Sequence, residues 1–360
     1  MGVAVVAVGC AVGLAGCTSA KTDQKPARAR SSAAPVAVAF GKEQAEKVFN
    51  QWQFERKNAL ERRDGDAIAV VETGALLAED QAWVKVLRTQ KNDKGWPYAS
   101  RGPEVFLPAE KDQPGYPRWF VVVSRGSSKP DEARAGAVNY FTQEGPGAGW
   151  KAAAISWVYD RPVKAGKHED DSYRWDGFEV RDKEIAAFTA DEAGALVLSP
   201  TAVEDRKVCG RYAEYMSFTA PDGEPESADF VPGELTSELV KWYNAAHEKD
   251  LDLTTKRYAF EVAGVELPVV RLADGKSLVT CSFVRTDTWT GRGGAWFEYD
   301  GRPFSSVEAM LGAGHQKWLS TTVRRSVTVA FEVPPQGPAD VLGTNNSFAT
   351  RVLSAEGTPK

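Results

Sequence analysis

Between Lys42 and Arg62, Ala45, Val48, Phe49, Trp52 and Leu60 recur at the spacing that puts them on one face of a helix. Arg63-Asp64-Gly65-Asp66 breaks that pattern. A short helix is predicted from Asp66 to Thr73, stopped near Gly74. Another follows from Ala75 to Gln90, carrying Leu76, Leu77, Trp83, Val84 and Leu87. Residues 92–102 are rich in turn formers and read as a loop. Beyond them the period changes to two. Strands are predicted at Val105–Leu107, Trp119–Val123, Ala135–Thr142 and Trp150–Tyr159, with Gly and Pro turns between them.

The same order returns further along. Ser199-Pro200 is a helix start, with Pro at the first helical position, and the predicted helix runs to about Phe218. A second helix is expected from Glu234 to Lys249. Strands follow at Thr255–Val262, Val269–Leu272, Leu278–Thr286 and Ala295–Tyr299. Val307–Trp318 reads as helix and Thr321–Val333 as a long strand, with weaker strands near Val341 and at Phe348–Leu353. Helices first and hairpin-linked strands after is an α+β layout with antiparallel sheets. It predicts two tandem domains, each with helices packed on a curved antiparallel sheet, over residues 41–160 and 195–360. Residues 161–194 would be the crossing between them, with Trp175 and Phe178 packed on one side. Pro103-Glu-Val-Phe-Leu107 before Trp119-Phe-Val-Val-Val, and Pro268-Val-Val-Arg-Leu272 before Leu278-Val-Thr-Cys, suggest an old duplication.

The N-terminus carries a different pattern. Val3 to Ala15 is an apolar run of signal-peptide length, too short to span a bilayer comfortably. It ends in Leu14-Ala15-Gly16-Cys17, which resembles the lipobox of bacterial lipoproteins. The resemblance implies removal of residues 1–16 and acylation of the Cys17 thiol, placing the chain on the outer face of the cytoplasmic membrane. No basic residue lies between Met1 and Gly16, so the reading places the natural start upstream. Residues 17–40 are small, polar and basic, too poor in apolar groups to fold, and would serve as a tether near an anionic bilayer.

The stretch from Ala59 to Asp80, with its helix-to-helix junction, and the strands after it are similar to the NTF2-like and cystatin-like superfamily. That resemblance implies helices resting in the concave face of a curved sheet. It also leaves open an envelope enzyme using the resulting pocket.

Composition narrows the function. The net charge of −5 argues against a nucleic-acid partner. Of four cysteines, Cys10 and Cys17 lie in the leader; Cys209 and Cys281 remain in the body. In an exported chain that pair suggests a disulfide, with two buried thiols as the alternative. The three histidines, His168, His247 and His315, have no zinc spacing. His168-Glu-Asp-Asp171 lacks the alternation and Gly turn of a calcium loop and reads as a solvated linker. Asp64 and Asp66 read as helix caps, and His247 as a helix C-terminus. Gly291-Arg-Gly-Gly294 lacks the Lys-Ser/Thr of a phosphate loop and reads as a turn. No G-x-S-x-G, C-x-x-C or S-x-x-K occurs. The expectation is a non-catalytic lipoprotein without metal or cofactor, binding an envelope protein, peptide or glycan or serving as an assembly module of the envelope. Trp96, Tyr98 and Trp289 are its candidate surface aromatics.

Overall fold

The computed structural model describes residues 40–90, 100–126, 135–159, 187–249, 253–299, 305–312, 316–344 and 351–360. Helix α1 (Lys42–Arg62) buries Ala45, Phe49, Trp52, Ala59 and Leu60, the stripe that the periodicity predicts. Its start is tied by Gly41 N–H donating to Gln44 Oε1 at 2.5 Å. It stops where Arg63 turns left-handed, at φ 57°. The Asp64 carboxylate then accepts from the backbone N–H groups of Asp66 and Ala67, capping α2 (Gly65–Val71). Helix α3 (Gly74–Gln90) follows.

Strands β1 (Ser100–Phe106), β2 (Arg118–Gly126), β3 (Ala135–Gln143) and β4 (Lys151–Tyr159) form an antiparallel sheet in chain order. Phe120, Val122 and Phe141 face the helices and pack with Phe49, Trp52 and Leu76. Trp119, Val121, Val138 and Tyr140 face the other way.

The second half holds α4 (Ala202–Asp205), α5 (Lys207–Tyr215), β5 (Phe218–Ala220), α6 (Ser237–Lys249), β6 (Thr254–Ala263), β7 (Val270–Arg271), β8 (Ser277–Gly291), α7 (Ser305–Leu311), β9 (Trp318–Val333), β10 (Asp340–Thr344) and β11 (Val352–Pro359). Its strands make an antiparallel seven-stranded sheet in the order β10-β9-β8-β6-β5. Strand β11 pairs with the first part of β9, and β7 with the start of β8. The fold is therefore α+β with two antiparallel sheets, one curled strongly into a half-barrel.

The sheets lie back to back. Trp119, Val121, Val138 and Tyr140 pack against Leu267, Val270, Leu272, Leu278 and Ala330, and Tyr140 Oη lies 2.8 Å from Thr280 Oγ1. Tyr212, Tyr243 and Met216 cover the opposite face, on Phe260, Phe283, Val329 and Phe331. Helices α1–α3 cover the outer face of the smaller sheet, with α3 also reaching β11 and α7, and α5 and α6 cover the outer face of the larger one, all within one compact unit from Phe40 to Lys360. The back-to-back arrangement explains the unbroken apolar runs Trp119–Val123 and Val329–Phe331, since both faces of those strands are covered. The described end of the crossing stitches the sheets together: Leu196 N–H donates to Leu107 O at 2.8 Å, and Thr189 N–H to Arg271 O at 2.9 Å. Trp175 and Phe178 lie outside the described residues.

Some elements differ from expectation. The helix expected to reach Phe218 ends at Tyr215, because Phe218–Ala220 pair with β6 and Ser217 Oγ accepts from Phe260 N–H at 2.8 Å. Helix α7 stops at Leu311 before a left-handed Gly312 (φ 72°). Ala295–Tyr299 makes a single bridge, Phe297 to Trp318, instead of a strand. The chain folds back so tightly at Gly291 that a Cβ there would lie 1.9 Å from Ala295 O.

Candidate binding site

Past Phe283, β8 reads Arg285-Thr-Asp-Thr-Trp-Thr290. Alternation sends Arg285, Asp287 and Trp289 to the helix-covered face and the threonines to the other. Cross-strand register builds a patch around them. Phe260, Tyr258 and Lys256 of β6 stand opposite those three residues in turn. Arg325, Val323 and Thr321 of β9 flank them on the other side.

Asp287 is the hub. It accepts from Arg285 Nε at 2.5 Å and Nη2 at 2.9 Å, and from Arg325 Nε at 2.9 Å. The three residues are only 3–5% exposed. Arg285 Nη1 donates to Tyr243 Oη, which α6 delivers from above. The Arg285 guanidinium also sits 4.8 Å from the Tyr243 ring centre and 5.1 Å from that of Tyr258. Aromatic faces and a bidentate carboxylate together make up for the hydration that burial removes.

Toward the outer edge the patch becomes aromatic. Lys256, 4% exposed, holds its ammonium 4.6 Å from the Trp289 ring centre. Trp289 in turn packs on Tyr299 at 5.3 Å and Phe297 at 5.8 Å between ring centres. Tyr299 Oη lies 2.6 Å from Thr321 Oγ1. Thr254, on the same face of β6 as Lys256, buries a hydroxyl with no hydrogen-bond partner. Val307 of α7 closes the end of this aromatic cluster.

The protonation states suit holding rather than proton transfer. Burial pushes the Tyr243 hydroxyl up to about 12, against the pull of Arg285. Burial also raises Tyr299 well above its ordinary range. Both phenols therefore keep their protons at neutral pH, and guanidinium groups do not serve as bases.

Cys209 on α5 and Cys281 on β8 form a disulfide, with alpha carbons 5.7 Å apart. The bond pins the helical cover to β8 on the same strand face as Arg285. Trp289 belongs to the patch, though not as a loop residue: β8 runs to Gly291 and turns its ring inward, half-buried. The threonines hid that extension, since they break the apolar run that marks the first part of the strand. The missed residues are Lys256, Arg285, Asp287 and Arg325. Their one sequence signal is charge at alternate positions of a strand. Asp64 is a helix cap, as expected. Leu14, Ala15, Gly16, Cys17, Trp96, Tyr98 and His168–Asp171 lie outside the described residues, as does the side chain of His247.

Among the described residues no group of His, Cys, Asp or Glu is arranged to hold a metal, and no helix is long and apolar enough to cross a membrane. No curated protein and no solved structure matches the chain. A family model, described as a domain of unknown function, matches residues 36–351, from before α1 to the residue before β11. With most of its length matched, the chain belongs to the DUF8094 family.

Proposed function

We propose that the protein is a lipid-anchored envelope lipoprotein that binds a partner without transforming it. Cys17 would be the acylated residue, residues 17–40 the tether, and the layered body the part presented outside the membrane. The observation that carries the anchor is Leu14-Ala15-Gly16-Cys17 at the end of an uncharged apolar run, followed at once by a polar, basic stretch. The Cys209–Cys281 bond supports an oxidising compartment. A patch of mutually fixed guanidinium, carboxylate and aromatic groups supports a binding role, because its phenols are tuned away from neutral proton transfer. The NTF2-like resemblance of residues 59–80 and the strands after them supports reading α1–α3 as a helical cover laid over one face of the smaller sheet. The partner would be an envelope protein, peptide or glycan, held at the outer part of the patch around Trp289. Labelled palmitate fed to cells expressing the full chain should enter the wild type and not Cys17→Ser. Equal labelling of both, or none of the wild type, would overturn the anchor.

A further inference from the structure

A second buried ionic cluster lies under α1–α3 and reaches the larger sheet through Arg351, whose chain neighbour Val352 pairs with Arg325. Trp52 and Arg56 come from α1, Glu72 from the end of α2, and Glu79 and Asp80 from α3. Arg351 enters from the segment before β11. Arg56 donates to Asp80 through Nε at 2.5 Å and Nη2 at 3.1 Å, and its Nε lies 3.2 Å from Glu72 Oε1. Arg351 Nε lies 2.9 Å from Glu79 Oε1, and its Nη1 3.6 Å from Asp80 Oδ1. The Trp52 indole donates to Glu72 Oε1 at 3.0 Å. On the sheet side, the backbone of Glu72 bridges that of Ala152 on β4. Glu72 and Asp80 are both 0% exposed.

Among the described residues, three carboxyl groups of this cluster face two guanidinium groups. With all of them ionised, Glu72 Oε2 is buried and has nothing to bond. Glu72 and Asp80 meet the same Arg56 Nε, at 3.2 Å and 2.5 Å, and a proton on Glu72 Oε2 turns that oxygen from an acceptor into a donor.

We propose that Glu72 and Asp80 share one proton in the folded protein, and that this shared proton is a pH-sensitive latch between the helical layer and the C-terminal arm. The arm is tied to the larger sheet, since Ser326 N–H donates to Arg351 O at 2.9 Å. Loss of the proton leaves two adjacent buried carboxylates, and their repulsion acts on the joint that Arg56 and Arg351 close. Burial, and then the charge of Asp80, holds the Glu72 carboxyl well above its ordinary 4.5. Burial works against Asp80 as well, but Arg56 and the hydrogen bond from Glu72 keep it below 3.8.

The sign follows from linkage. A carboxyl raised on folding contributes stability that is fully present below its unfolded value and is lost as pH rises through its folded value. The test is denaturant unfolding of the full chain from pH 5 to pH 9, below the titration of the buried tyrosines, for wild type and Glu72→Gln. Gln keeps an acceptor for Trp52 and supplies a permanent donor for Asp80. The wild-type unfolding constant should rise relative to the variant by up to about tenfold per pH unit until Glu72 titrates, then level off. Infrared spectra of the wild type at pH 7 should also show the carbonyl band of a buried protonated carboxyl, absent from the variant. Parallel pH profiles or no such band in the wild type would overturn the latch. If Glu72→Gln does not fold, the wild-type band, and its loss on raising the pH, decides alone.

Discussion

The protein buries charge in two places and solves the problem in two ways. Under α1–α3 the cluster is acid-rich: Glu72, Glu79 and Asp80 against Arg56 and Arg351. On the larger sheet the described cluster is base-rich, with Arg285 and Arg325 sharing Asp287. An excess carboxyl can be neutralised by taking up a proton, because its pKa is within reach of burial. An excess guanidinium cannot shed its proton, so its charge must be spread over phenol oxygen and ring faces. That is the role of Tyr243, Tyr258 and Phe260 around Arg285. The acid-rich cluster can therefore respond to pH, while the base-rich one keeps its charge and is suited to recognition. The same contrast predicts opposite signs for two isosteric changes. Glu72→Gln should stabilise the protein at neutral and alkaline pH. Asp287→Asn should destabilise it over the same neutral and alkaline range.

The largest expected effect is that of Asp287→Asn. It removes the only carboxylate that the described structure pairs with both Arg285 and Arg325. Breaking a buried pair by removing one partner costs about 3–5 kcal/mol, because charge is left uncompensated. Guanidinium denaturation should show the midpoint falling with an unchanged slope. A loss below about 1 kcal/mol would mean that this cluster is well hydrated and the contrast false. Next comes the disulfide. Replacing Cys209 and Cys281 together with Ser should cost roughly 2–4 kcal/mol by freeing the unfolded chain. The damage should be local as well as global. Hydrogen exchange should quicken in α5 and β8 and leave α1–α3 nearly unchanged; equal quickening in both layers would erase the distinction between them.

Legibility in the sequence follows the same division. Helix α1 spans the predicted residues, because an apolar stripe and a polar break at Arg63–Asp66 are both local signals. Strands β2, β3 and β4 of the smaller sheet are legible for the same reason, whereas β1 begins at Ser100, inside the stretch read as a loop. The back-to-back stacking is not legible, since a strand buried on both faces carries no mark of what lies beyond it. Pairing Cys209 with Cys281 needed only a count of cysteines and an expectation of export. The two charged clusters were the least legible. Arg351 and Glu79 are far apart in the chain, and no spacing rule brings them together. Arg285 and Asp287 sit in a run that alternates with threonine, which weakens the strand signal where the chemistry begins. Charged residues read as solvent-facing by default, so inward charge becomes visible only when register places it.

The smallest effect tests whether the acid-rich cluster depends on how its parts are delivered. Glu72 follows directly after α2, and Asp64 caps that helix by accepting from Asp66 N–H at 3.2 Å and Ala67 N–H at 3.0 Å. Asp64→Ala should cost about 1 kcal/mol, the usual price of an N-cap. If α2 does no more than connect two helices, the loss will be the same at every pH. If it positions the carboxyl that shares a proton with Asp80, a frayed α2 lets water reach Glu72 and lowers its proton affinity. The difference between wild type and Asp64→Ala should then be larger at pH 5 than at pH 9, because the benefit of the buried proton belongs to the acid side. A pH-independent loss would confine Asp64 to capping; a pH-dependent one would tie a surface turn to the buried proton.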